Sequence, residues 1–320
     1  DLHHGLLEGG AHGGQTAGAS GETDNRTVQL EARAGAASLL SSGGGEAMLW
    51  LEHRWNYGAA NLTPAEFRSA FRFSFEIPEP ALTEAAERRR SCGCGARDCG
   101  GKVFSTGMQY VYHVLNRKSD TGGGSAYKRH NAINYTVHAL ARKAGVTAEV
   151  GGWLCTVPRR GGGGEDPHAD IWFEMANGEK FWGDTTLVNV VGGNMKIKAG
   201  SDRVAGAALR AAREKKEKTY GVAAEEDARR VFTLGIEMGG RMDPQFHEVV
   251  YRLARADTDL VIGPLPEGAD AFRVAEHKMH LSRVKRRMIA AIQTTRVKWA
   301  VRCINSARPR EQQTGREERR

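Results

Sequence analysis

Residues 169–175 and 180–190 read as the two arms of one β-hairpin closed by Ala176-Asn177-Gly178. A three-residue turn, two residues in the right-handed region and then Gly at positive φ, suits that triplet. It sets Met175 against Glu179, and the ladder then pairs Glu174 with Lys180, Trp172 with Trp182 and Asp170 with Asp184. An ion pair and an aromatic pair share one face, while Ile171, Phe173, Met175 and Phe181 fill the other. A two-residue turn would instead oppose Met175 to Lys180 and Ile171 to Asp184, so the first register is preferred. That register brings two carboxylates to about 5 Å between Cβ atoms. Such charges repel unless something neutralises them, and a divalent cation with oxygen ligands is the usual answer.

What surrounds the hairpin is a chain of 320 residues with 40% hydrophobic content, enough to bury a core. Its 40 glycines and mean hydropathy of -0.50 leave part of it unpacked. The formal net charge is +8 and the isoelectric point about 9.3, which points to polyanionic partners. Residues 278–320 hold thirteen Lys or Arg against three Glu, an excess larger than that of the whole chain. The tail therefore carries the field. Five cysteines, three of them between Cys92 and Cys99, do not form a disulfide framework, so a reducing compartment is expected. No run approaches eighteen apolar residues, which argues against a membrane helix. The start, Asp1-Leu2-His3-His4, is neither a secretory signal nor an initiating Met; the expectation is a processed piece or fragment, soluble and intracellular.

Residues 1–46 are rich in Gly, Ala, Ser and Thr, too poor in large apolar side chains to offset the entropy of ordering, and are expected to be disordered. Residues 47–90 read as a small helical unit: Thr63-Pro64-Ala65-Glu66 has the hydroxyl, Pro and Glu of a helix start, and Pro78 and Pro80 end it. Residues 91–128 hold Cys92-Gly93-Cys94-Gly95 and Cys99, a strand-like stretch with His113, and a Gly-rich joint at 122–125. Residues 129–265 carry a helix from His130 to a stop at Gly145, a strand at 147–157, a Gly-rich loop at 159–164 and the hairpin. A charged helix at 202–218, a strand at 230–237 and a helix at 244–256 complete it. Helix, three strands, helix, strand predicts an α/β layer with a mixed sheet. Residues 266–320 give a basic helix and tail, with Leu281, Val284, Met288, Ile292 and Trp299 opposite Arg283, Arg286 and Arg287.

Acids at the ends of adjacent strands suit a metal-dependent phosphodiesterase, in which Asp170 and Asp184 would bind the ion. Glu149, on the neighbouring strand, is the candidate third ligand. His130, read as opening its helix, could meet phosphate at the positive end of the dipole, beside Arg129. A cysteine hydrolase built on Cys155 with His138 or His168 finds no support in the spacing. There is neither Gly-x-Ser-x-Gly nor a phosphate-binding loop.

Lys128-Arg129-His130-Asn131 opening a helix, Ala144-Gly145 closing it, then Glu149, Pro167-His168-Ala169-Asp170-Ile171 and Gly183-Asp184-Thr185-Thr186 resemble one family. It is the restriction-like endonuclease domain that follows the reverse transcriptase in site-specific non-LTR retrotransposons, notably CRE-like and spliced-leader-inserting elements. Downstream, Arg213 to Tyr220 and Val231 to Gly240 resemble its basic helix and following strand. Upstream, Phe67 to Phe75 and Cys92-Gly93-Cys94-Gly95 resemble its lead-in and zinc knuckle, so the likeness runs from Met48 to Ala256.

The resemblance implies a PD-(D/E)XK fold, a mixed sheet flanked by helices. It implies Mg²⁺ or Mn²⁺ at Asp170 and Asp184, Zn²⁺ at the knuckle, and DNA as partner with element RNA as a second. The activity implied is nicking of target DNA in the nucleus for target-primed reverse transcription, although the chain contains no Tyr-x-Asp-Asp of its own. Oligomeric state is left open. An inactive nucleic-acid-binding remnant is the alternative, because the chain departs from the pattern. The lysine expected two residues after the second acid is Thr186, which leaves Lys218 as first candidate, then Lys196 and Lys198. The knuckle's usual fourth ligand is replaced by Arg117, so Cys92, Cys94, Cys99 and His113 are the expected zinc set.

Overall fold

The computed structural model describes residues 16–51, 62–94, 99–117, 125–157, 167–198, 200–220 and 231–308. Within them lie eight α-helices and a four-stranded mixed sheet. The helices are α1 (Thr16–Ser42), α2 (Pro64–Ser74), α3 (Pro80–Glu87), α4 (Gly107–Asn116), α5 (Ser125–Lys143), α6 (Ala207–Tyr220), α7 (Pro244–Ile262) and α8 (Ala271–Ser306). The strands are β1 (Thr147–Val150), β2 (Ile171–Glu174), β3 (Lys180–Val188) and β4 (Val231–Glu237). The sheet runs β1-β2-β3-β4, the first two pairings antiparallel and β3 with β4 parallel.

The hairpin has the expected register: Glu174 faces Lys180, Phe173 faces Phe181, Trp172 faces Trp182 and Ile171 faces Gly183. Gly178 closes the turn at φ 79, its N–H donating to the Met175 carbonyl. Alternation along the strands sorts their side chains to two cores. Ile171, Phe173, Phe181, Leu234 and Ile236 pack against α5, α7 and α8. Trp172 and Trp182 pack on the opposite side with Cys155, Val157, Ala169 and Tyr220 of α6. Helices therefore cover both faces, as β-strands buried on two sides require.

Several expectations change. Residues 16–42 form α1 instead of a disordered segment, while residues 1–15, with His3, His4 and His12, lie outside the described residues. Ala34 and Ala37 are fully buried against Tyr112, Val188 and Leu209, and Ser41 hydrogen-bonds to Gly239 and Arg241. Small side chains lower the entropic cost of close packing and Ala favours helix, so a composition that reads as unstructured forms a docked helix. The strand-like stretch before His113 is α4, capped by Thr106. All six residues from Tyr110 to Leu115 are buried, so no polar face marks its period. Pro80 opens α3 where an end was expected. The strand after Gly145 stops at Val150, because Gly151 turns at φ 68 into a 3₁₀ turn, Trp153–Cys155. The Gly-rich stretch 159–164 and the last residues, 309–320, lie outside the described residues.

The basic C-terminal helix packs into the body of the fold. α8 packs on α2, α4, α5 and α7, and its buried residues enter three apolar clusters. Arg283, Arg286 and Arg287 do sit on its exposed face, opposite buried Val284 and Met288. No helix among the described residues is long and apolar enough to cross a membrane.

Candidate functional site

The acids meet where the β2–β3 ladder ends. Pairing stops at Ile171 with Gly183, one step short of the expected Asp170–Asp184 pair, because the Asp170 N–H donates to the Gly183 carbonyl at 3.0 Å. The Thr185 N–H that this shift leaves over donates instead to Asp170 Oδ2, at 2.7 Å. Asp170 thus turns its carboxylate into the strand end, close enough to Asp184 for each to alter the other's proton affinity.

Each acid has its own partners. His130 Nε2 lies 3.0 Å from Asp170 Oδ2 and 3.2 Å from the Thr185 carbonyl; both are acceptors, so Nε2 carries the proton. The Lys216 ammonium donates to Asp184 Oδ1 at 2.9 Å and Oδ2 at 2.7 Å. The Tyr220 hydroxyl abuts Asp184 Oδ2 and lies 2.9 Å from the His168 carbonyl, with one proton to give to either. Arg213, one turn earlier on α6, reaches both oxygens of Asp243 at 3.3 Å and pins α6 to the start of α7.

Electrostatics separate the acids. Burial raises the Asp184 carboxyl above its ordinary range, with the Asp170 charge adding to it, and Lys216 and Tyr220 only partly oppose this. Burial acts the same way on Asp170, but the hydrogen bond and charge of His130, with help from Asp184 and Thr185, win and hold it low. His130 is raised in turn: desolvation disfavours its cation, and Asp170 outweighs that. Tyr220 is pushed far up by burial and by the Asp184 charge, so it stays a neutral donor. Two neighbouring carboxyls with opposite shifts at one strand end are the arrangement that acid–base and metal chemistry use.

The remaining expected site residues divide. Glu149 faces Trp172 on the acid side of the sheet, but its carboxylate folds back to where a side chain on Gly152 would stand. It does not join Asp170 and Asp184 in a three-ligand cluster. Lys218 is exposed, and the lysine at the acids is Lys216. Two residues on a helix are about 200° apart, so only one of the two can face the sheet. The signal was present as Leu209, Arg213, Lys216 and Tyr220, spaced four, three and four, one stripe of α6. Lys196 and Lys198 lie on the loop between β3 and α6. Thr186, at the expected lysine position, has a buried hydroxyl without a partner among the described residues.

Arg129 is no phosphate ligand: it is 5% exposed, and its guanidinium donates to the Leu115 carbonyl at 2.8 Å. His130 lies more than a turn inside α5, so the dipole argument fails and its ring serves Asp170. Neither candidate histidine pairs with Cys155, since His138 turns to the Ala148 carbonyl and His168 to the Thr156 hydroxyl.

A second cluster lies among α3, α4 and the end of α8. Cys92, Cys94, Cys99 and His113 bring one ligand atom each to within 4.8 Å of one another, the only such group of three or more among the described residues. Cys94 Sγ and His113 Nε2 are 3.7 Å apart. Ligand atoms around a tetrahedral zinc are about 3.5–3.8 Å apart, so that edge already fits and the others need close by no more than about 1 Å. The guanidinium of Arg117, at the place of the usual fourth ligand, donates to the Cys94 carbonyl at 2.6 Å and braces the loop.

Two carboxylates supply the oxygen donors that Mg²⁺ takes, although an ion there shares Asp184 with Lys216 or displaces it. The fold and the two clusters define a mixed α/β protein with a paired-acid site and a thiol–imidazole cluster able to hold a metal. No protein-family model matches the chain, and no curated protein matches it.

Proposed function

We propose that the chain is a metal-dependent DNA endonuclease domain of the restriction-like, PD-(D/E)XK kind, similar to that of site-specific non-LTR retrotransposons. The observation that carries this reading is the meeting of Asp170, Asp184 and Lys216 at one strand end, two acids and a lysine brought from three elements. The order α5-β1-β2-β3-α6-β4, three antiparallel strands and then a fourth parallel to the third, supports the finer fold assignment. Asp170 and Asp184 would hold Mg²⁺ or Mn²⁺, which when bound polarises the phosphoryl oxygen and activates water. Lys216 takes the role first given to Lys218 and stabilises charge on the phosphate. His130 fixes the Asp170 carboxylate. DNA is held through its phosphates by Arg283, Arg286 and Arg287, with salt-sensitive affinity, and element RNA is the second partner. The product would be a nick that primes reverse transcription in the nucleus.

A supercoiled-plasmid assay with Mg²⁺ or Mn²⁺ tests this. The intact chain nicks the plasmid and Asp184→Ala does not; equal products from both remove the enzyme reading.

The second reading, a nucleic-acid-binding remnant without turnover, is favoured by Thr186 and by the engagement of both Asp184 oxygens within the protein. It expects salt-sensitive DNA binding with no nicking by either protein.

A further inference from the structure

Trp50, Trp172 and Trp182 are buried, yet Trp153 is 79% exposed. Its ring has no aromatic or cationic neighbour among the described residues. The backbone beneath it is fixed. The Gly151 N–H donates to the Asp170 carbonyl at 3.1 Å, and the Cys155 N–H to Gly152 at 3.0 Å. The Thr156 N–H donates to Trp153 itself at 3.1 Å, the Ala169 N–H to Cys155 at 2.9 Å, and the Trp182 indole N–H to the Leu154 carbonyl at 2.8 Å. This turn therefore lies over the acid-bearing side of the sheet and holds a bare indole two residues from a direct bond to Asp170.

A second exposed ring lies on the helix that carries His130. Tyr127, 63% exposed, stands one helical turn before His130, whose imidazole meets the Asp170 carboxylate. One aromatic is thus tied to the main chain of Asp170 and another to the partner of its side chain. Gly151 and Gly152 beside Trp153 give no apolar rim of the kind that surrounds a protein-binding hot spot. Stacking on a π-face is what a rigidly presented, solvated indole offers.

We propose that Trp153, with Tyr127, stacks unpaired nucleobases, so that the substrate of the acid site is DNA with single-stranded character beside the scissile phosphodiester, a gap or a flap. The proposal rests on the nuclease reading for its site and adds the substrate class. In an intact duplex both faces of every base are already covered by neighbours, so these rings gain nothing from it. A base in a single strand unstacks from its neighbours more readily and then offers a face that they can take.

The test is equilibrium binding by fluorescence anisotropy, using the full chain without added magnesium or manganese. One probe is a labelled intact duplex and the other is the same duplex with a single-stranded gap. The wild type binds the gapped probe about tenfold more tightly. Trp153→Ala brings the ratio close to one, Trp153→Phe keeps most of it, and Tyr127→Ala lowers it less. Unchanged thermal melting by circular dichroism confirms that the exposed positions were altered without loss of fold. Equal binding of both probes by the wild type, or an unchanged ratio in Trp153→Ala, overturns the proposal. Because no cleavage is read in this assay, gap preference with no cutting of either the plasmid or the gapped duplex once Mg²⁺ is added would support stacking while removing the nuclease.

Discussion

At Asp184 both carboxylate oxygens are already engaged, by the Lys216 ammonium at 2.7 and 2.9 Å and by the Tyr220 hydroxyl. At the other cluster, Cys92, Cys94, Cys99 and His113 turn three sulfurs and a ring nitrogen on one another within 4.8 Å. The first site neutralises its charge with the protein's own cations and keeps its shape without an added ion. The second gathers soft donors whose thiolate forms repel, and burial raises the Cys92 thiol. Its geometry becomes favourable once a dication replaces the protons. The acid site is thus preformed by side chains, whereas the thiol cluster is a donor set that a metal would complete.

The largest expected effect breaks this contrast at the thiol cluster. The purified chain is expected to carry one zinc by elemental analysis, and a chelator or Cys99→Ser to lower its melting temperature and expose α3 and α4 to hydrogen exchange. Structural zinc contributes about 10–16 kcal/mol of binding energy in isolated zinc-finger peptides. Here Leu82, Tyr110, Val111 and Val114 pack around the cluster, so the region loosens without the whole chain unfolding. Protein without zinc whose exchange pattern ignores the chelator would leave three ordinary reduced thiols and a packed histidine, and remove the contrast.

An intermediate effect sharpens it at the acid site. Lys216→Met reduces nicking by about 10²–10³, the loss typical of removing one donor to developing charge, and Lys218→Met leaves it unchanged. Lys216→Met also costs about 1–2 kcal/mol in urea unfolding, a value discounted because the side chain is 33% exposed. Equal losses from the two variants would mean a general basic surface on α6 and not a single positioned ammonium.

These sites differ in how far the sequence disclosed them. The hairpin register follows from local chemistry, since a turn triplet with one suitable Gly and two complementary cross-strand pairs agree on a single alignment. The place of Cys99 beside Cys92, Cys94 and His113 was readable from residue type alone, although the brace from Arg117 to the Cys94 carbonyl needed three-dimensional proximity. The phase of α6 was hidden by Arg213-Glu214-Lys215-Lys216-Glu217-Lys218, where lysine occupies several faces and only distant Leu209 and Tyr220 mark the inner one. α4 escaped because burial on every side erases the helical period, and α1 because alanine packing leaves no large apolar side chains to read. The Asp170 carboxylate meets His130, forty positions away in the chain, and no local pattern records such a contact.

The smallest expected effect tests whether the acid site is held by the protein's own charges, as the contrast requires. His130 has a raised pKa in the fold, so its stabilisation is complete below the unfolded value near 6.5 and is lost as pH climbs through the higher folded value. Asp170 is lowered, so its share is complete above about 3.9 and is lost as pH falls through a value beneath that. The pair therefore stabilises most between about pH 4 and 6.5. Asp184 runs the other way: its raised carboxyl favours the proton in the fold, and its ionisation costs stability as pH rises above about 3.9. His130→Asn removes the imidazole and leaves Asp184 with Lys216 and Tyr220, so the difference between the two pH curves reports on His130. Melting temperature measured across pH should fall above about 6.5 more steeply in the wild type than in the variant. Parallel curves would mean that Thr185 and the strand end position Asp170 without help from the imidazolium.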